Sequence, residues 1–296
     1  MAETHSFDAQ KLFDVNGYVA VVTGGGTGIG LMMSQALAAN GAKVYITGRR
    51  QEVLENAAKS HHPASSKGAI IPVGPCDVTK KEDLERLVAE IQKKEDCIHL
   101  LCCNAGISGP KAEPEDSDAE ELRKRLWDNE SVGEWQETYQ TNVTAVYFTT
   151  VAFLPLLQAA MQPKGSHDKF SASVITTSSM SGIMRHAQGH FSYNTAKGAT
   201  VHLTKLMSAE FLKAGIRVNS IAPGYFPSEM TAKESDDRQK SYVPDEKIHE
   251  KGHVPLMRPG REEEIGMTVL YLARNQYVNG EIIAVDGGVL NVLAGR

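Results

Sequence analysis

Short apolar runs alternate along this chain with longer segments in which apolar positions recur at helical spacing. YVAVV (18–22) precedes the helical pattern IGLMMSQALAAN (29–40), which Gly41 can terminate. KVYIT (43–47) is followed by the polar helix QEVLENAAKS (51–60), and AIIPVGPCDV (69–78) by KKEDLERLVAEIQKK (80–94). HLLCCNAG (99–106) ends in a glycine loop, with the long helix EWQETYQTNVTAVYFTTVAFLPLL (134–157) further on. SASVITTSS (171–179) leads to a second long helix, SYNTAKGATVHLTKLMSAEFLKAG (192–215). IRVNSIAPG (216–224) and EIIAVDGG (281–288) complete the strands. Strand and helix in this rhythm predict a single α/β domain, a doubly wound parallel sheet covered on both faces in three α/β/α layers.

Three stretches stand outside the rhythm. Residues 1–16 read as an N-terminal extension and the charged residues 109–133 as a solvated surface insertion. Residues 225–258 follow the end of a strand, where open α/β sheets bind ligands, and their length suits a substrate lid.

Composition narrows the function classes. The chain has 296 residues, 41% hydrophobic and 23% charged, as in an ordinary globular domain. A formal net charge of −5 gives no pull toward nucleic acid or an anionic membrane. No apolar stretch reaches the roughly 18 residues of a membrane span, and the N-terminus lacks the apolar core of a secretory signal, so a cytoplasmic location is expected. Cys76, Cys97, Cys102 and Cys103 match no zinc or redox spacing and read as free thiols. His186 and His190 stand four apart without a carboxylate nearby and read as pocket wall or surface; no metal is expected.

The candidate chemistry begins at TGGGTGIG (23–30), directly behind the first strand. Strand, glycine-rich turn and helix form a dinucleotide-binding pattern: the turn lets main-chain N–H groups approach a pyrophosphate, and the helix N-terminus adds partial positive charge. A turn that merely packs helix on strand leaves the same local pattern, so other positions must decide. CNAG at 103–106, Asp77 in CDVT, Asn142 in QTNVTAVY, Ser179 in TTSSMSG, Tyr193 and Lys197 in YNTAK, and Pro223–Gly224 follow in order. With the TGxxxGIG spacing they make the chain similar to the short-chain dehydrogenase/reductase family, from about Tyr18 to Gly288. The resemblance is to members described as 3-oxoacyl-carrier-protein or rhamnolipid-type reductases, and it implies a Rossmann-like fold.

Tyr193 and Lys197 are four apart on a predicted helix and project from one face. A free phenol titrates near ~10. A neighbouring ammonium and an oxidised nicotinamide would lower that value and fit Tyr193 for proton transfer to a carbonyl or from an alcohol. The resemblance implies that Ser179 hydrogen-bonds the substrate oxygen, with Ser178 and Ser181 as rivals because the Ser179–Tyr193 spacing is one residue longer than is usual in the family. It also implies that Asn142 holds a water linking Lys197 to solvent. Cofactor contacts implied in the same way are Gly24, Gly26, Gly28, Ile29 and Gly30 in the turn, Asp77 and Val78 at the adenine, and Asn104, Ala105 and Gly106. Tyr193, Lys197, Pro223, Gly224, Phe226 and Ser228 would meet the nicotinamide half. Gly48 stands where an NAD-preferring chain carries an acidic residue, and Arg49 and Arg50 follow. NADP(H) is therefore expected, with Arg49 on the 2′-phosphate and the Thr27 hydroxyl nearby.

These residues predict an NADP(H)-dependent reduction of a ketone on a partly apolar molecule, such as a 3-oxoacyl or polyketide-like carbonyl. The alternatives are an NADP-dependent sugar or polyol dehydrogenase and a catalytically silent nucleotide-binding regulator. Few arginines fall in 225–258, so a multiply anionic substrate is not invited. The resemblance implies a homotetramer or homodimer formed through the two long helices.

Overall fold

The computed structural model describes residues 7–64, 67–114, 118–161 and 171–293. The remainder of the N-terminal extension and residues 115–117 of the insertion lie outside the described residues. Seven strands form one all-parallel sheet in the order β3-β2-β1-β4-β5-β6-β7. They are β1 Val19–Thr23, β2 Lys43–Thr47, β3 Ala69–Pro72, β4 Leu100–Cys103, β5 Ser173–Thr177, β6 Arg217–Pro223 and β7 Ile282–Val285. Each falls within or beside a run that the apolar pattern predicts.

Because side chains alternate across a strand, a sheet covered on both faces needs apolar residues at successive positions. Ala20, Val22, Leu100 and Cys102 pack into one core, and Val19, Val21, Leu101 and Cys103 into the other. The short α1 (Ala9–Leu12) precedes Val15, which is buried in the first core. That core is closed by α2 (Gly28–Ala39) and α3 (Gln51–Ser60). The second is closed by α4 (Lys81–Gln92) and, beyond the exposed α5 (Ala119–Asn129) and α6 (Val132–Tyr139), by α7 (Ala145–Ala159). Next come α8 (Phe191–Glu210), then α9 (Glu229–Ala232) and α10 (Asp245–His249) within residues 225–258, the segment whose length suits a lid, and finally α11 (Glu262–Arg274) and α12 (Val289–Val292).

Two elements differ from the expected pattern. The helix expected over 134–157 is interrupted by a π-turn, Gln140–Thr144, closed by the Ala145 N–H donating to the Gln140 carbonyl. One extra residue per turn is accommodated there, a distortion often found at functional sites. The helical run Val132–Ala159 also has the length and mean hydropathy of a membrane span, 1.3 over its most apolar window, but half of that window is buried inside the fold. The second difference is α11, which goes beyond the predicted elements. Its three opening glutamates suit a helix N-terminus, and Ile265, Val269 and Leu272 seat it against α2.

Chain direction across the sheet reverses between β1 and β4, opening a crevice at their carboxyl ends. A third apolar cluster lies beside it. Val243, Ile248 and Val254 of the lid pack with Met180, Val289 and Leu290, anchoring the lid next to Ser179.

Candidate active site

A cleft of about 1210 Å³ runs from the glycine turn to the lid. Its floor requires the glycines. Gly24 has φ +63° and Gly28 +51°, a region L side chains rarely adopt. A Cβ on Gly30 would lie 2.2 Å from the Gly24 carbonyl oxygen, and one on Gly28 would lie 2.8 Å from Ser228 Cβ. The turn thus admits no side chains where it meets its own helix and the lid. Thr27 stands at the N-cap of α2 but makes no side-chain capping bond, so the first-turn N–H groups lack the usual hydroxyl partner.

Asn104 holds the switch point together. Its Nδ2 donates to the Thr23 and Gly24 carbonyls at 3.1 and 3.2 Å, and its Oδ1 accepts from the Thr177 hydroxyl at 3.3 Å. The N–H groups of Asn104 and Ala105 donate to Thr23 Oγ1 at 3.0 and 3.1 Å. Beyond them, a Cβ on Gly106 would lie 2.7 Å from Asn142 Oδ1. Asp77 lines the cleft while its Oδ1 accepts from the Thr79 N–H and hydroxyl, and Val78 is a buried wall residue. Arg50 is committed to Glu229 of the lid at 2.7 Å. Arg49 lines the same wall, exposed and without an ion pair to a described residue. Pro223, Gly224, Phe226 and Ser228 line the other side. The Phe226 ring is packed so closely on Gly260 that a Cβ there would lie 2.2 Å away.

The three serines separate by their partners. Ser178 Oγ donates to the Ile221 carbonyl at 3.2 Å and accepts from Ser220 Oγ at 2.7 Å, so it serves the sheet. The Ser181 N–H donates to Ser179 Oγ at 3.1 Å. It is the Ser179 hydroxyl that faces the Tyr193 phenol and works to lower its pKa. The loop from β5 can close this tightly on α8 because Gly182 lies where a Cβ would come within 2.5 Å of the Lys197 main chain.

Lys197 is buried, its Nζ donating to the Thr177 carbonyl at 2.7 Å and lying 5.6 Å from the centroid of the Tyr193 ring. Burial without a carboxylate pulls its pKa from 10.5 down to about 8. The phenol behaves differently from the sequence-based expectation. Burial pushes Tyr193 above its ordinary 10, and the Ser179 hydroxyl offsets only part of that rise. In the protein alone, desolvation outweighs the Ser179 contribution and favours the neutral phenol.

Asn142 sits in the π-turn. Its Oδ1 accepts from the Ile107 N–H at 3.0 Å, its Nδ2 donates to the Ile107 carbonyl at 2.8 Å, and its own carbonyl accepts from Thr200 Oγ1 at 2.8 Å. The residue thereby ties the loop after β4 to α8. Several wall residues carried no functional reading in the sequence: Lys111 and Glu113 from the presumed surface insertion, and Gln188, Tyr225, Lys251 and His253. His186 and His190 line the wall as well, and no cluster of metal-ligating side chains occurs among the described residues.

A parallel sheet with a side-chain-free turn at its switch point and a serine, tyrosine and lysine in the adjoining cleft defines a dinucleotide-dependent oxidoreductase. A family model described as short chain dehydrogenase matches residues 18–239, and the chain belongs to that family. The short-chain dehydrogenase/reductase PhomF of Diaporthe leptostromiformis is 42% identical over 298 residues, covering 98% of this chain and 97% of its own. The rhamnolipids biosynthesis 3-oxoacyl-[acyl-carrier-protein] reductase of Pseudomonas aeruginosa is 30% identical, covering 93% of this chain and 97% of its own. The Pseudomonas aeruginosa RhlG/NADP active-site complex superposes with a TM-score of 0.75 at 28% identity, covering 94% of this chain and 98% of that one. The chain is therefore an oxidoreductase, in a family that acts on small molecules with nicotinamide dinucleotides.

Proposed function

We propose that the protein is an NADP(H)-dependent carbonyl reductase that converts a ketone to a secondary alcohol. The observation that carries this reading is the convergence of Ser179, Tyr193 and buried Lys197 in one cleft with Arg49, which has no ion pair to a described residue. The glycine turn, packed so closely that a Cβ on Gly30 would strike the Gly24 carbonyl and one on Gly28 would strike Ser228, would hold the dinucleotide pyrophosphate by its main-chain N–H groups. When bound there the dinucleotide would supply the hydride.

The remaining steps belong to the chain. The Ser179 and Tyr193 hydroxyls donate to the substrate carbonyl oxygen and stabilise negative charge as it develops there. Tyr193, kept neutral by burial, releases its proton to that oxygen. Lys197, one helical turn along, stabilises the phenolate left behind and would donate to the ribose of a bound dinucleotide. Asn142 keeps the loop after β4 against α8, so that this geometry persists and a water can reach Lys197. Asp77 and Val78 would receive the adenine, Asn104, Ala105 and Gly106 the adjoining ribose, and Pro223, Gly224, Phe226 and Ser228 the nicotinamide side. Arg49, with no carboxylate at Gly48 to oppose it, pairs with the 2′-phosphate. The RhlG complex with NADP supports that choice. A 3-oxoacyl or polyketide-like ketone in the cytoplasm, reduced by a homodimer or homotetramer, fits the cleft and the relatives.

The test follows reduced-nicotinamide absorbance against a panel of ketones, sugars and polyols in both directions, with NADPH and NADH in parallel. NADPH should be preferred, and Arg49→Ser should reduce that preference by about tenfold or more. A wild-type preference for NADH would overturn the cofactor assignment, and turnover of polyols alone would overturn the substrate class.

A further inference from the structure

The lid side of the cleft is built by three separate segments: the loop after β4, the loop between β5 and α8, and the lid itself. Gln188 has φ +51° and Gly189 +75°; holding a glutamine in that region is strained. The conformation places Gln188 Nε2 to donate to Tyr225 Oη at 2.9 Å. Tyr225 Oη is also 2.9 Å from His253 Nε2. A neutral imidazole protonated on its other nitrogen accepts from the phenol at Nε2. Burial lowers the His253 pKa, favouring this neutral form.

The bonds from Gln188 to Tyr225 and from Tyr225 to His253 tie the loop before α8 to the segment two residues from Lys251. Its ammonium lies over the Tyr225 ring, 4.5 Å from the centroid. No carboxylate pairs with it among the described residues. Two further ammonium groups line the same wall: Lys247, whose Nζ donates to the Thr231 carbonyl at 3.1 Å, and Lys111, paired with Glu113 at 2.5 Å. Burial first, and then the like charges of Lys247 and Lys111, pull the Lys251 pKa below its ordinary value. Three ammonium groups with one carboxylate partner repel one another until an anion enters.

We propose that Lys251 is the recognition cation of an anion subsite on the lid side of the cleft, so that the substrate carries an oxyanion besides its reducible carbonyl. This deepens the reductase reading and rests on it only for the carbonyl. The oxyanion is either a carboxylate on the substrate itself or the phosphate of a pantetheine carrier arm, and the experiment separates the two.

Binding is measured by calorimetry on the full chain with NADP in excess, which keeps the Arg49 region filled. The probes are levulinate against methyl levulinate, and phosphopantetheine against pantetheine. At least one charged probe should bind about tenfold or more tightly than its neutral partner. Lys251→Gln should abolish that difference, and Lys251→Arg should keep it. Charged and neutral partners binding alike, a difference that survives Lys251→Gln, or no binding of either charged probe would each overturn the subsite. Turnover of levulinate with NADPH is read separately. Charge-selective binding that depends on Lys251 without turnover leaves the subsite standing and counts against the reductase reading. Turnover of levulinate and its ester with equal KM does the reverse.

Discussion

At the scale of single residues, the site pairs a phenol and an amine whose protonation is set by burial. Tyr193→Phe keeps the ring but removes the transferable proton, so kcat should fall by about 10²–10⁴ while the fold and dinucleotide binding persist. Unchanged turnover of the preferred ketone would remove Tyr193 from the chemistry. Lys197 has a consequence for stability. Its folded pKa, about 8, is below the 10.5 of the free side chain. Between those values the unfolded chain binds more protons than the native one, so stability rises with pH and the gain is lost as pH falls through 8. The slope approaches ~1.4 kcal/mol per pH unit within the window. Tyr193, raised above 10, acts in the opposite sense only beyond that value. The Tm of the ligand-free wild type should therefore climb from pH 8 to 10 relative to Lys197→Met, and parallel profiles would refute the assignment.

At the scale of elements, the glycine turn and the π-turn matter most. The φ of +63° at Gly24 and the close approach of Gly30 to its carbonyl belong to a turn that has no room to relax. Gly30→Ala should cost roughly 1–3 kcal/mol through overpacking, and should weaken dinucleotide binding because the turn must open. Thermal denaturation with and without NADPH checks both, and an alanine variant of wild-type stability and affinity would show that the turn is soft. The π-turn turns the Asn142 carbonyl toward Thr200 while its side chain grips Ile107, so a distortion of one helix joins α8 and the loop after β4 at the site.

At the scale of the whole molecule, the sheet separates two apolar cores and encloses most of the thiols. Cys76, Cys102 and Cys103 are buried, and burial pushes Cys76 up to about 11 and Cys103 to about 12, with Cys102 higher still. Cys97 is half-buried and less protected. A thiolate reagent such as DTNB should label no more than one thiol per native chain at mild alkaline pH, and all four after denaturation. Rapid labelling of two or more in the native state would contradict the packing of the sheet.

What the sequence determined by itself is local. The strand and helix periods, the glycine turn behind β1 and the four-residue spacing of Tyr193 and Lys197 all arise from neighbours along the chain, and all are present in the structure. The α11 helix belongs here too, because its glutamate-rich start and apolar spacing stand in REEEIGMTVLYLAR. Tertiary structure decided the rest. It alone distinguishes Ser179 from Ser178, since their partners lie on α8 and β6, far along the chain. It spends Arg50 on Glu229 and leaves Arg49 without an ion pair to a described residue, and it sets Tyr193 above rather than below its ordinary pKa. Lys111, Lys247 and Lys251 reach one wall from two loops, and no period in the sequence announces that. Burial and convergence are properties of the folded chain, and spacing along the sequence carries neither.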